Sequence, residues 1–186
     1  MDEQTLAGSN EPTLQKSSNV NVALINGLYI GAVLIVFSLI LYLLGTPRDN
    51  WLQYISYVIM LVGVVMAIKQ WRDKYNNGFI TYGQAFSNGF LTLLFAGILT
   101  SIYIFIFFQV IAPDEVTKMA QLAEEQMYER NPNISEADAE MGMKFAKMFM
   151  KPWLMAVMGL FFTALAGLVM SAIVAAFMKK ENNQFV

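Results

Sequence analysis

Charged residues divide this chain unevenly, leaving four long apolar gaps between them. They measure 31 residues between Lys16 and Arg48, 19 between Asp49 and Lys69, 39 between Lys74 and Asp114, and 27 between Lys151 and Lys179. A helix needs roughly 20 mostly apolar residues to cross a bilayer, so the pattern predicts four transmembrane helices. The spans read as 20–44, 51–68, 85–112 and 153–178, giving an all-α, integral-membrane four-helix bundle. Between the third and fourth spans the pattern changes. Residues 114–151 hold eight acidic and five basic side chains, and their apolar positions recur at helical spacing, which predicts amphipathic helices over 114–130 and 136–151. Residues 1–19 read as a disordered polar tail and 179–186 as a second, short one. The first lacks the basic stretch that opens a cleavable signal, so the first span is expected to stay attached.

Punctuation supports these boundaries. Gly45-Thr46-Pro47 stops the first helix, and the few residues before Trp51 force an antiparallel hairpin. Trp51, Tyr54 and Tyr57 belong at headgroup level. Asn76-Asn77-Gly78 is turn chemistry, and Thr81 with Gln84 forms a capping box for the third helix. Asn131-Pro132-Asn133 separates the two helices of the insertion, Ser135 with Asp138 caps the second, and Pro152 opens the last span.

Inside the spans, small residues recur every fourth position. Gly159, Thr163, Gly167, Ser171 and Ala175 form a ridge on the fourth helix, with Gly27 and Gly31 on the first, Gly63 on the second and Gly97 on the third. Lipid supplies little hydrophobic drive between helices, so close approach through small residues is what holds them. Packing within the chain is the first expectation for these positions, and a homo-oligomer seam or a docking face for another membrane protein the second. In the insertion, Val116, Met119, Ala120, Ala123 and Met127 share one face. Further on, Met141, Phe145, Met148 and Phe149 gather on one side of the next helix and Lys144, Lys147 and Lys151 on another. That arrangement predicts a helix resting on the membrane surface or over the bundle mouth.

Composition narrows the chemistry. An apolar fraction of 56% with only 14% charged residues is too high for an ordinary soluble domain, and a net charge of −2 gives no basic field for nucleic acid. Cysteine and histidine are absent, which removes thiolate and imidazole catalysis and their metal ligation. No ionisable residue lies within the proposed spans, which argues against proton-coupled transport and intramembrane hydrolysis. Asn26, Ser38, Ser56, Thr92, Thr100 and Ser101 read as interhelical hydrogen bonders in preference to a permeation path. The loop carboxylates Asp114, Glu115, Glu124, Glu125, Glu129, Glu136, Asp138 and Glu140 lack calcium-loop spacing and read as a solvated face. No catalytic, cofactor-binding or metal-ligating residue is therefore assigned.

The stretch Trp71-Arg72-Asp73, then Asn77-Gly78-Phe79-Ile80-Thr81-Tyr82-Gly83-Gln84-Ala85-Phe86 and Gly89-Phe90, resembles the signature of domain-of-unknown-function family 4199. The resemblance runs from about Asn21 to Met178. It implies a small bacterial inner-membrane protein of the kind well represented in Bacteroidota, with four helices and a charged insertion before the last. It brings no catalytic residues with it. The expectation is a non-enzymatic accessory or scaffold protein of the bacterial cell envelope, in contact with lipid and with a membrane-protein partner or a second copy. The alternative is an oligomeric channel or small-solute transporter, and a lipid-handling enzyme using the loop carboxylates ranks below both. An even number of spans, with Lys69, Arg72, Lys74, Lys179 and Lys180 at one end, places both termini in the cytoplasm.

Overall fold

The computed structural model describes residues 18–45 and 51–180. Of the tails expected over 1–19 and 179–186, residues 1–17 and 181–186 lie outside the described residues, as does the Thr46-Pro47 corner, while Asn19 already belongs to the first helix. Six α-helices follow one another among the described residues: α1 (Asn19–Leu43), α2 (Tyr54–Gln70), α3 (Tyr82–Ile106), α4 (Asp114–Arg130), α5 (Glu136–Phe149) and α6 (Pro152–Met178). There is no β-strand among the described residues, only a single antiparallel bridge between Ile80 and Lys180. Wider π-helical turns extend α2 through Tyr75 and α3 through Ile111. Among the described residues four helices are thus long and apolar enough to cross a membrane: 19–43, 54–75, 82–111 and 152–178. The protein is a multi-pass membrane protein.

Local chemistry explains where the helices start. The Ser18 hydroxyl accepts from the Asn21 amide, so α1 begins one residue before the apolar run. Thr81 Oγ1 accepts from the Gln84 amide at 3.4 Å while Gln84 Oε1 accepts from the Thr81 amide at 3.1 Å, and this reciprocal pair starts α3 at Tyr82, before the expected position 85. Pro152 occupies the first turn of α6, where its missing N–H has no helical acceptor to lose.

Helix ends depart further from the apolar pattern. The apolar pattern bounds the second span at Ile68, since charge begins at Lys69, yet the helix runs on through Lys69 and Arg72 to Tyr75. Lysine and arginine are good helix formers, so charge marks the headgroup level here without ending the helix. Asn77 (φ 51°) and Gly78 (φ 81°) make the actual stop. At the far end of α3 the Ala112 amide donates to the Phe107 carbonyl at 2.8 Å, a five-residue step that closes the last turn.

α3 is the central helix, in contact with α1, α2 and α6, most extensively with α6. The α3–α6 contact is antiparallel and keeps one register along its length. Gly89 faces Ser171, Leu93 faces Gly167 and Gly97 faces Thr163, each pair of numbers summing to 260. The Ser101 hydroxyl extends the seam by donating to the Ala156 carbonyl at 2.8 Å. α1 lies parallel to α3, with Gly27 against Thr92, Phe95 and Ala96, and Gly31 against Ala96 and Leu99.

α2 is held mainly through its second half, where Val64, Ala67 and Ile68 are buried, with Met60 buried one turn earlier. Its first half exposes Tyr54, Tyr57, Val58, Leu61 and Val62. Between that half and α1 runs an apolar groove of about 390 Å³ lined by Ala32, Val33, Val36, Phe37, Ile40 and Ile59.

The core has two centres. One joins α1, α2, α3 and α6 around Ile30, Val64, Ile68, Ile80, Leu93 and Val174. The other, at the opposite end, consists of Phe107, Phe108 and Ala112 with Leu39, Tyr103, Met155 and, from α4, Val116 and Met119. α4 and α5 then pack on each other. Lys118 bridges Asp114 at 3.0 Å and Glu115 at 2.8 Å, which holds the Asp114 carboxyl below and the Lys118 ammonium above their ordinary ranges. Lys118 and Asp114 are exposed, so the cluster ties down the first turn of α4 without adding much stability.

Candidate functional site

The buried polar groups collect at the end of the molecule where α1 and α3 begin and α2 and α6 finish. Asn88, Thr92 and Ser171 are completely buried there. The Asn88 carboxamide donates to Asn19 Oδ1 at 2.7 Å, and Asn19 Nδ2 donates in turn to the Ser87 hydroxyl at 3.1 Å. Thr92 Oγ1 donates to the Asn88 carbonyl at 2.7 Å. Asn26 Nδ2 donates to Gln70 Oε1 at 2.8 Å and to the Val22 carbonyl at 2.9 Å, tying α1 to the end of α2. Amides and hydroxyls thus cross two helix interfaces, α1–α3 and α1–α2, within a shell of apolar side chains.

Among the described residues, three buried side-chain polar atoms have no hydrogen-bond partner: Asn88 Oδ1, Ser171 Oγ and the Trp71 indole nitrogen. A buried donor or acceptor left unmet costs roughly 1–3 kcal/mol. The fold therefore gives up stability at the α3–α6 contact, where it is otherwise tightest. Gly89 is what makes that contact possible, because a Cβ there would sit 2.8 Å from Ser171 Oγ and 3.1 Å from the Ile68 side chain.

The loop beneath closes this end. The Ile80 amide donates to the Lys180 carbonyl and the Lys180 amide to the Ile80 carbonyl, both at 2.9 Å, which joins the entry of α3 to the exit of α6. Trp71 stacks on Tyr75 with ring centres 5.5 Å apart, and Phe86 stacks on Phe90 at 6.2 Å. Lys180 Nζ lies 5.6 Å above the Phe79 ring, and Arg72 Nε donates to Asp73 Oδ1 at 2.7 Å. Charge is confined to the rim, and the interior offers hydrogen bonds without a titrating group near neutral pH. Such an arrangement ties the ends of α1, α2 and α3 to one another.

The other residues singled out above fall in separate places. Gly27, Gly31, Gly97, Thr163, Gly167 and Ser171 lie in the α1–α3 and α3–α6 contacts. Gly63 faces the Ile30 side chain, Gly159 faces Ile104, and Ala175 is fully buried in the core. Among the polar positions, Tyr103 donates to Ser38 at 3.4 Å across helices, Thr100 turns back to its own helix at the Gly97 carbonyl, and Ser56 is half-buried.

Val116, Met119, Ala120, Ala123 and Met127 are all half-buried on α4. On α5 the apolar residues divide into two stripes. Ala139 and Met143 are buried, and a Cβ on the intervening Gly142 would lie 3.1 Å from Met127 Sδ of α4. Met141, Phe145, Met148 and Phe149 are exposed, as are Lys144, Lys147 and Lys151. No described part of the chain covers the second stripe, so the bundle mouth is not where it packs.

Sequence reasoning passed over Asn19, Gln70, Ser87 and Asn88. For Asn88 a signal was available: it is a carboxamide deep in a charge-free run of 39 residues, a position that demands a partner.

The Asn26–Gln70 bond gives a direct measure of this cluster. Asn26→Leu, Gln70→Leu and the double variant should show a coupling on the order of 0.5–1 kcal/mol in detergent unfolding, the usual worth of such a bond within a membrane. Strict additivity of the two single changes would mean the bond contributes nothing.

A family model described as protein of unknown function (DUF4199) matches residues 25–180. No curated protein and no solved structure matches the chain.

Proposed function

The chain belongs to the DUF4199 family, and from that premise we propose that it is a non-enzymatic accessory or scaffold protein of the bacterial inner membrane, with both termini in the cytoplasm. One observation carries the reading: a tightly interlocked α1–α3–α6 core stands beside a loosely held first half of α2, and the groove between that half and α1 is wholly apolar. The rigid part holds shape and the open part offers surface. Neither brings a nucleophile, an acid–base pair or a polar lining to membrane depth, so the features supporting an interaction role do not equally support catalysis or a pore.

A photo-reactive amino acid at Val36, in the groove, and another at Val169, exposed on α6, provide the test in living cells. The reading expects a protein adduct of defined mass from Val36 and only lipid from Val169. Lipid adducts alone at both sites, together with solute flux through liposomes holding the purified protein, would replace it with the channel or transporter alternative.

Orientation follows from where the cations crowd the helix ends. Lys69, Arg72, Lys74, Lys179 and Lys180 sit within a few residues of spans at the closed end, whereas those of the insertion are diluted by eight acids. Reporter fusions at Gln184 and between Asn131 and Ser135 should report cytoplasm and exterior respectively. A reversed pair overturns the orientation, and two reports from one side overturn α6 as a span.

A further inference from the structure

We propose that the exposed face of α5 is a docking surface for the anionic lipid headgroups of the bilayer in which the protein itself is embedded. At 3.6 residues per turn, Met141, Phe145, Met148 and Phe149 fall within an arc of about 100°, and the buried Ala139 and Met143 lie on the opposite side of the helix. The side of α5 that α4 covers is therefore not the one with the large residues. Met141 and Phe145 are 62% and 60% exposed, an outlay of apolar surface that calls for cover.

Chain connectivity says what the cover is. α5 ends at Phe149 and the membrane span α6 begins at Pro152, so the last turn of α5 cannot leave the interface at which α6 enters. Trp153, 56% exposed in the first turn of α6, carries an amphipathic ring suited to the same level. Charge follows the geometry. Glu136, Asp138 and Glu140 occupy the half of α5 remote from the span, Lys144 and Lys147 the half that adjoins it, and Lys151 stands between α5 and α6. None of these lysines is in an ion pair with a described residue. Their stems can lie along the apolar face while the ammonium groups meet phosphate. The proposal is independent of the scaffold reading, because it concerns lipid alone.

The chain has no cysteine, so single labels can be placed at will. Spin labels at Met141→Cys and Met148→Cys probe the outer face, and one at Glu140→Cys probes the flank, in full-length protein reconstituted in nanodiscs with and without anionic phospholipid. With anionic lipid the outer-face labels should be relaxed by oxygen and shielded from a water-soluble nickel chelate, with the opposite at Glu140. Each lysine near an anionic surface is worth about a fivefold change in the docked-to-free ratio. Lys144→Gln, Lys147→Gln and Lys151→Gln together should therefore return the outer-face labels to aqueous values without altering the melting temperature of the spans. Outer-face labels as open to the chelate as the Glu140 label would overturn the proposal. So would shielding that ignores both lipid charge and the lysine changes, which would leave a purely apolar contact. Shielding that appears only when two copies share a disc would assign the face to self-association and overturn it equally.

Discussion

Gly27→Ala should lower the stability of the folded helices by about 1–3 kcal/mol, the usual cost of overpacking, while Gly83→Ala leaves it unchanged or raises it. The chemical change is one methyl group in both. At Gly27 that methyl would lie 2.6 Å from the Thr92 carbonyl oxygen and 2.7 Å from the Phe95 Cβ, atoms that cannot rotate aside. α1 and α3 must then separate, and with them the contacts of Gly31 to Leu99 and of Asn19 to Asn88 one and two turns away. Alanine's better helix propensity, about 1 kcal/mol, acts against this loss and is too small to cancel it. At Gly83, in the first turn of α3, nothing lies within 4 Å of the added carbon and only the propensity remains. Thermal unfolding in detergent separates the two variants. Equal melting temperatures would mean that α1 is not seated on α3 as the structure has it.

On the other side of α3, Gly167→Leu should be more damaging than Leu168→Ala by an amount on the order of 1–3 kcal/mol. Gly167 is buried, and even a Cβ there would stand 3.1 Å from the Leu93 Cβ, in the middle of the antiparallel seam. A full leucine side chain must push the seam open, and the Ser101 hydroxyl then loses its acceptor on α6. Leu168, one position on, is 39% exposed along a span that meets lipid, so trimming it leaves little cavity. Melting in detergent again decides, and identical behaviour of the two would remove the ridge from the packing of α6.

The spans were legible because the bilayer imposes a length, and a run free of charge over that length has few other meanings. The capping box at Thr81 and Gln84 was legible for a related reason, since a cap is a local event among four residues. Partnership between helices is not local. Gly27, Gly97 and Gly167 look alike in a string of letters, and only the structure shows that the first and third pack on different faces of α3, to which the second belongs. The π-helical ends at Trp71–Tyr75 and Phe107–Ile111 were invisible because they depend on which carbonyl is free when the helix meets its surroundings. α5 shows a further limit. A helix with apolar residues on two sides yields two stripes at the same period, and burial alone tells which of them is internal.

The constant register of α3 against α6 has a consequence in time. Translation delivers α1, α2 and α3 to the membrane first, and the whole insertion must be made before α6 follows. At roughly 5–20 residues per second, α6 emerges a few seconds to about ten seconds after α3. Throughout that interval Gly89, Leu93 and Gly97 line an unfilled face, and Ser101 has to find an acceptor within its own helix, as every polar group in hydrocarbon must. α1, lying parallel to α3, can seat while synthesis continues, but the Ile80–Lys180 clasp cannot form until the last span is complete. Among the described helices assembly is thus ordered from the N-terminal side, and the face of α3 that receives α6 waits against nothing but lipid until that helix is made.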